Sequence, residues 1–403
     1  MKALVLAGGF DQKALIKYLK ENNYEVILLD YLDNPPAKED VEKHYKKSTL
    51  DIEEVKEVAL LEKVDLITTA CTDQALLTVA KVSEDLNLPC YISYQKALDV
   101  TNKLYMKKKF TEANVPTSKY VIVDKVEDTE NINLDYPIVV KPVDCNSSKG
   151  VKKVLNKEEL ISATKEAINL SRTKNAIIEE YKEGIELSVD VFVKDNQATV
   201  LSITQTNKVP NNNNNFTIYQ SEYPGSVKDY QKEEIDKIAN LIAKAFGLNN
   251  CPMLIQLIAN DKELNVLEFS ARMGGGTKYK LIETISGVNI MKEYVNLVLG
   301  KPYNIEITNP AKYVILNYVY CENGKYVRLE NWDELKEKGY IKDYFVYKTP
   351  GSVFTGANNS GDRVAGYLLV ANTYEELKEK EEYIKKNIKV IGEDGQNMIK
   401  YNY

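Results

Sequence analysis

The chain has 403 residues, 44% of them apolar and 28% charged, with a net charge of −6. That is the composition of an ordinary soluble protein, long enough for two or three domains. Its acidic balance argues against a nucleic-acid or anionic-membrane partner while leaving room for a local basic groove.

From the amino terminus, strand and helix patterns alternate. Lys2–Ala7 reads as a buried strand, Gly8-Gly9 as a tight turn, and Asp11–Asn22 as a helix with Leu15, Ile16 and Leu19 on one face. Strand Glu25–Leu29 ends at Asp30, Asp51–Glu62 is helical, and strand Leu66–Thr69 runs into Cys71-Thr72-Asp73, which opens a helix to Leu86. Cys90–Ile92 reads as a short strand and Tyr94–Val100 as a short helix. The pattern is that of a doubly wound parallel sheet. Ligands of such sheets lie at the carboxyl ends of the strands, where Gly8, Gly9, Asp30, Thr72 and Asp73 fall. Gly8-Gly9 is short of a dinucleotide fingerprint, so turn glycines and helix caps are equally good readings of these residues.

A second unit begins near Asn102 with a basic helix from Lys103 to Ala113, then strands Tyr120–Val123 and Pro137–Pro142. A helix at Lys157–Leu170 and strands Asn175–Tyr181, Ile185–Val193 and Thr199–Gln205 follow. Asn211 to Asn215 cannot form a core and read as a mobile loop or lid. Lys228–Phe246 is a long helix, and Thr277–Ser286 another. The remainder mixes strands (Tyr313–Val319, Arg363–Val370) with helices (Trp332–Lys338, Thr373–Asn387).

No apolar run approaches the roughly 20 residues that span a bilayer and no signal peptide is visible, so a cytoplasmic location is expected. The five cysteines are scattered, never at metal-ligand spacing, and are expected to be buried free thiols. The single histidine, His44, lies in the charged stretch 42–47, which looks like a solvated loop or helix face. Zinc hydrolysis and Ser-His-Asp chemistry are therefore disfavoured. Lys, Arg, Glu, Asp and Gln, with a metal, must carry the chemistry.

The densest signal is the run Pro252 to Gly276. It reads as two apolar strands joined by a polar turn, with Gln256 in the first and Glu268, Ser270 and Arg272 two apart in the second, on one face. With a turn over Asp261 to Glu263, Gln256 lies opposite Glu268. An oxygen ligand and a carboxylate then converge as they do around a Mg²⁺ shared with nucleotide phosphates. The alternative is a surface hairpin with a solvated polar face.

Three further signals point to a nucleoside triphosphate. Lys141 ends an apolar strand, where a lone charge is costly without a partner. The small polar loop 144–151, with Ser147, Ser148, Lys149 and Gly150, offers backbone N–H groups to phosphates, and Lys103 is a second phosphate candidate. Strand, turn at Gly184 and strand bring Glu179 and Glu186 to one edge, suited to ribose hydroxyls and an adenine edge, or else solvated as hairpin charges.

In this order the segments resemble the ATP-grasp superfamily over nearly the whole chain. The resemblance implies an α/β and α+β multidomain fold: a Rossmann-like unit at 1–100, an ATP-grasp domain at 101–304 with a lid at about 118–190, and a small α+β unit at 305–403. It implies that Lys103 and Lys141 contact ATP phosphates under the 144–151 loop. Glu179, Glu180 and Tyr181 would sit at adenine and Glu186 at ribose. Gln256 and Glu268 would hold Mg²⁺ or Mn²⁺, with Arg272 steadying the transferring phosphoryl group. Ser270 stands where the family usually has Asn, which bears on a second metal. Arg272-Met273-Gly274-Gly275-Gly276-Thr277, Ser286-Gly287-Val288-Asn289 and Gly361-Asp362-Arg363 look like the amino-acid ligase and carbamoyl-phosphate-synthase-like branch.

The implied activity is ATP-dependent joining of a small carboxylate to an amine. Arg272, the Gly274–Gly276 amides and the next helix N-terminus would form an anion site. The rivals are a purine-pathway enzyme of the same fold joining glycine to phosphoribosylamine, and a non-catalytic nucleotide-binding regulator or scaffold. Small-molecule substrates are expected, with a homodimer as the expected assembly.

Overall fold

The computed structural model describes residues 1–145, 149–209, 216–308, 311–356 and 359–400. Strands Lys43–Lys46, Glu25–Asp30, Lys2–Leu6 and Leu66–Thr68 lie side by side in that order, all parallel. Their apolar runs are continuous because helices cover both faces. Leu15, Ile16 and Leu19 of helix Phe10–Glu21 pack on one face, and Val55, Val58 and Ala59 of helix Ile52–Glu62 on the other.

Two readings of this unit are corrected. The stretch 42–47 contains the edge strand Lys43–Lys46, with His44 half-buried against the Asp30 carbonyl; a strand this short at an edge can carry charge, which hides it from periodicity. Cys90–Ile92 forms no strand. It lies between Pro89 and the Ser93 helix cap, too short to pair, and Ile92 turns into the central core. Asp30 is structural: its carboxylate accepts the Gly8 and Leu32 N–H groups at 2.7 and 2.8 Å.

An eight-stranded antiparallel sheet forms the centre. Its order is Leu264–Ser270, Cys251–Ala259, Ile185–Lys194, Gln197–Lys208, Ile218–Tyr223, Tyr313–Val319, Ala365–Ala371 and Asp343–Val346. The sheet thus continues without a break from the second unit into the last. Leu187, Val189 and Val191 pack with Ile235, Ile238 and Ile242 of helix Asp229–Ala245. Alternation sends Glu186, Ser188 and Asp190 to the opposite face.

Strands Tyr120–Val123, Ala176–Glu180, Ile138–Pro142 and Lys152–Val154 make a separate antiparallel sheet, backed by helix Lys157–Leu170. The strand–turn–strand around Gly184 is therefore not a hairpin, because Ala176–Glu180 and Ile185–Lys194 belong to different sheets. Gly184 has φ of 153°, and a Cβ there would run into the Ala259 carbonyl. A fourth sheet (Val353–Phe354, Gly324–Glu330, Lys389–Gly392) and helix Tyr374–Asn387 complete the carboxyl-terminal end.

All five cysteines are free; Cys251 and Cys321 are buried and the other three partly exposed. Among the described residues no helix is long and apolar enough to cross a membrane.

Because the crossover fits only a residue without a side chain, Gly184→Ala is expected to lower stability by about 2 kcal/mol or more. Urea unfolding followed by circular dichroism measures this; a loss within experimental error would mean the crossover relaxes freely.

Candidate active site

The hairpin sets the centre of the site. The pairing begins at Ala259 with Leu264 and continues to Leu257 with Val266, so the turn is 260–263, longer than expected. Left alone, that register would put Gln256 opposite Leu267. A bulge at Leu267 restores the pairing of Gln256 with Glu268 and keeps both on one face.

A cavity of about 520 Å³ opens between the small antiparallel sheet and the central sheet. Asn102 caps helix Lys103–Glu112, placing Lys103 at its first turn. Its Nζ lies 3.0 Å from Glu268 Oε2 and donates to the Cys145 carbonyl at 2.9 Å. Ile138 and Val140 face the small sheet's core, so Lys141 faces the cavity, 2.7 Å from Glu179 Oε2. Lys107 reaches the other Glu179 oxygen at 2.8 Å. Glu179 is thus buried between two lysines, not presented to open solvent. Burial would raise its pKa, but the charges of Lys107 and Lys141 hold it well below the ordinary carboxylate range. Glu180 and Tyr181 line the cavity, and Glu186 is ion-paired to Lys208.

A second cavity of about 770 Å³ lies at the carboxyl ends of the parallel strands. Arg272 enters it with Nε 2.8 Å from Asp73 Oδ1, its Nη2 on the other Asp73 oxygen. The expected anion site at the glycines is partly filled by the protein itself. Asp11 accepts the Gly276 and Thr277 N–H groups at 2.9 and 2.7 Å, so a ligand anion does not find them open. Arg363 comes from the far side, its guanidinium 3.6 Å over the Tyr318 ring and its Nε donating to the Tyr320 hydroxyl at 3.1 Å.

The two cavities share a wall of Lys103, Gln256 and Glu268. Burial would raise the pKa of Glu268, but Lys103 and Lys141 keep it below its ordinary range, so it is a carboxylate at neutral pH. Ser270 lines the second cavity only. Among the described residues no three His, Cys, Asp or Glu side chains cluster for a metal. One carboxylate with one amide oxygen is the donor set that suits a Mg²⁺ taking its other ligands from phosphates and water.

Sequence reading missed a row across the sheet: Thr204, Ser188, Gln256 and Glu268 are successive cross-strand partners. Lys278 crosses it, donating to Ser188 Oγ at 3.1 Å and Thr204 Oγ1 at 2.9 Å, with Asp190 Oδ2 3.7 Å away. Burial pushes the Lys278 pKa down and Asp190 opposes this. Polar residues alternating with Leu187, Val189 and Val191 were the available signal. Lys149 lines the second cavity and Gly150 has φ of 74°. Ser147, Ser148 and Asn211 to Asn215 lie outside the described residues.

Residues 134–280 match the ATP-grasp domain family, and 317–393 match L-amino acid ligase C-terminal domain 2. The chain carries an ATP-grasp domain. The L-arginine-specific L-amino acid ligase of Bacillus subtilis is 25% identical over 293 residues, 70% of each chain. The L-amino acid ligase structure from Bacillus licheniformis superposes with a TM-score of 0.80 at 19% identity, covering 97% of this chain and 98% of that one. Phosphoribosylglycinamide synthetase from Anaerococcus prevotii gives 0.77 at 22% identity, covering 97% and 99%. These two structural likenesses speak for the ATP-grasp fold.

Glu179→Gln leaves two buried lysines uncompensated in this ATP-grasp domain and is expected to cost about 3–5 kcal/mol at pH 7. A depressed carboxylate stabilises the fold above its unfolded pKa of about 4.3 and loses that contribution as pH falls toward its folded value. The variant's stability should therefore fall less steeply than the wild type's below about pH 4.3. Urea unfolding at pH 7, 4 and 3 measures both; unchanged stability at pH 7 would contradict the role of the pair.

Proposed function

We propose that this chain is an ATP- and Mg²⁺- or Mn²⁺-dependent carboxylate–amine ligase that works through an acyl phosphate on an amino acid or another small carboxylate. The observation that carries the reading is the wall of Lys103, Gln256 and Glu268 shared by two cavities. A nucleotide in the first and a carboxylate in the second would meet there.

The substrate carboxylate oxygen attacks the γ-phosphorus and the bond to the β-phosphate oxygen breaks, leaving ADP and an acyl phosphate. An amine then attacks the acyl carbon, phosphate leaves, and the amine loses a proton to give the amide. Lys141 and Lys103 bind the phosphates of the nucleotide, exchanging their present carboxylate partners for phosphate oxygens. Glu180 and Tyr181 border the base and Glu186 the ribose. Gln256 and Glu268 would hold the metal, which supplies charge neutralisation on the phosphates when bound. Arg272, oriented by Asp73, steadies the transferring phosphoryl group or the acyl phosphate. Lys149 and Gly150, with Ser147 and Ser148 between them and the strand end, would cover the phosphates and exclude water from the intermediate. Ser270 in place of the usual Asn keeps a nucleotide-binding regulator as the second reading.

Phosphate release from Mg-ATP, with pooled amino acids, small carboxylates, and glycine plus phosphoribosylamine, tests this. One pool should stimulate release, and Glu268→Ala should lower the turnover by at least about 100-fold at a temperature where the variant is still folded, which separates the lost chemistry from the stability lost by unpairing Lys103. Lys141→Ala should raise the half-saturating ATP concentration by about 10-fold or more. Bound ATP with no stimulated release from any pool would favour the regulator.

A further inference from the structure

Arg363 reaches the second cavity from the carboxyl-terminal part of the chain, and the activity proposed above gives it no task. The chain has four arginines beside forty-nine lysines. Arg172 and Arg328 are surface residues, their side chains 54% and 58% exposed. Arg272 and Arg363 line the same cavity. A chain that uses Lys for nearly every cation keeps Arg where a planar fork has a use.

Arg272 already holds a carboxylate, that of Asp73. Arg363 makes no ion pair among the described residues. Its Nε is bound to the Tyr320 hydroxyl and one face lies on Tyr318, but neither a phenol nor a ring face neutralises a buried guanidinium. Asp11 on the facing element acts on it only through space, its oxygens accepting the Gly276 and Thr277 amides. Lys278, also facing it, brings no negative charge. The other guanidinium nitrogens remain as donors beside the cavity. Gly276 makes room for them: it has φ of 72°, and a Cβ there would collide with Nη1. The fork is therefore held by its stem and one face while no carboxylate among the described residues forms an ion pair with it.

We propose that Arg363 binds an anionic group, a carboxylate or a phosphate monoester, carried by the amine substrate, and so determines which amines are accepted. This rests on the ligase reading, with the amine entering the second cavity. An amine without such a group leaves the guanidinium unpaired and binds weakly. Arg363 is a specificity-determining residue and takes no part in phosphoryl transfer.

The direct test needs no turnover. The unaltered enzyme with saturating Mg-ATP is treated with phenylglyoxal, and modification of each of the four arginines is followed by mass spectrometry. Probes come in pairs that differ only in the anion: pooled amino acids against their amides, and phosphoethanolamine against ethanolamine. The expected result is at least tenfold slower modification of Arg363 with the anionic member of one pair, with Arg172 and Arg328 unaffected. Protection by amino acids names a carboxylate, and protection by phosphoethanolamine a phosphate. Equal modification with both members of both pairs overturns the proposal. In turnover, Arg363→Gln should raise half-saturation for the anionic amine at least tenfold while leaving that for ATP within twofold. Arg363→Lys should recover only part of the loss. An unchanged amine half-saturation also overturns it. If Arg363→Gln does not fold, Tyr320→Phe, which frees the Nε anchor, should shift amine half-saturation in the same direction. Failure of the ligase reading shows separately, as absent phosphate release from every pool.

Discussion

Lys103, Lys141, Arg272 and Lys278 carry positive charge into clefts where water cannot fully solvate them, and burying an unpaired charge is costly. Each is met by an acid from another element: Glu268, Glu179, Asp73 and Asp190. The protein is thereby close to charge-neutral at its site before any nucleotide arrives. A triphosphate brings a denser negative charge than a lone carboxylate, so the lysines can change partners on binding. Glu179 has Lys107 as a second partner and is not stranded when Lys141 leaves it.

The polar face that receives these charges belongs to one sheet. Thr204, Ser188, Gln256 and Glu268 lie in a row, and the reverse face of the same strands packs in a core with helix Asp229–Ala245. Strict alternation makes such a division possible. The bulge at Leu267 is the local exception that brings Glu268 into the row. A rigid apolar back and a polar front give the metal donors and Lys278 fixed spacing without help from loops.

The parallel unit contributes its crevice in an unusual way. Doubly wound sheets bind ligands beyond the carboxyl ends of their strands. Here those ends hold Asp11 and Asp73, and each grips the second unit, at the Gly276–Thr277 amides and at Arg272. Arg363 closes the opposite side. Parts of the chain far apart in sequence thus frame one cavity, and no segment alone could form it.

Sequence alone determined most helices and strands, the buried character of the parallel strands, the isolated Lys141, and the pairing of Gln256 with Glu268. These depend on local periodicity and on the sign of a face, which a few neighbouring residues set. Even there the pairing is reached through a bulge that the pattern did not reveal. Tertiary structure decided that the Gly184 turn crosses between sheets, that Glu179 answers two lysines, that Asp11 fills the glycine amides, and that Lys278 and Arg363 enter the site at all. The Arg272–Asp73 contact spans 199 residues. Nothing local distinguishes an aspartate that will cap a helix from one that will hold a distant guanidinium, because the partner is chosen by how the units pack.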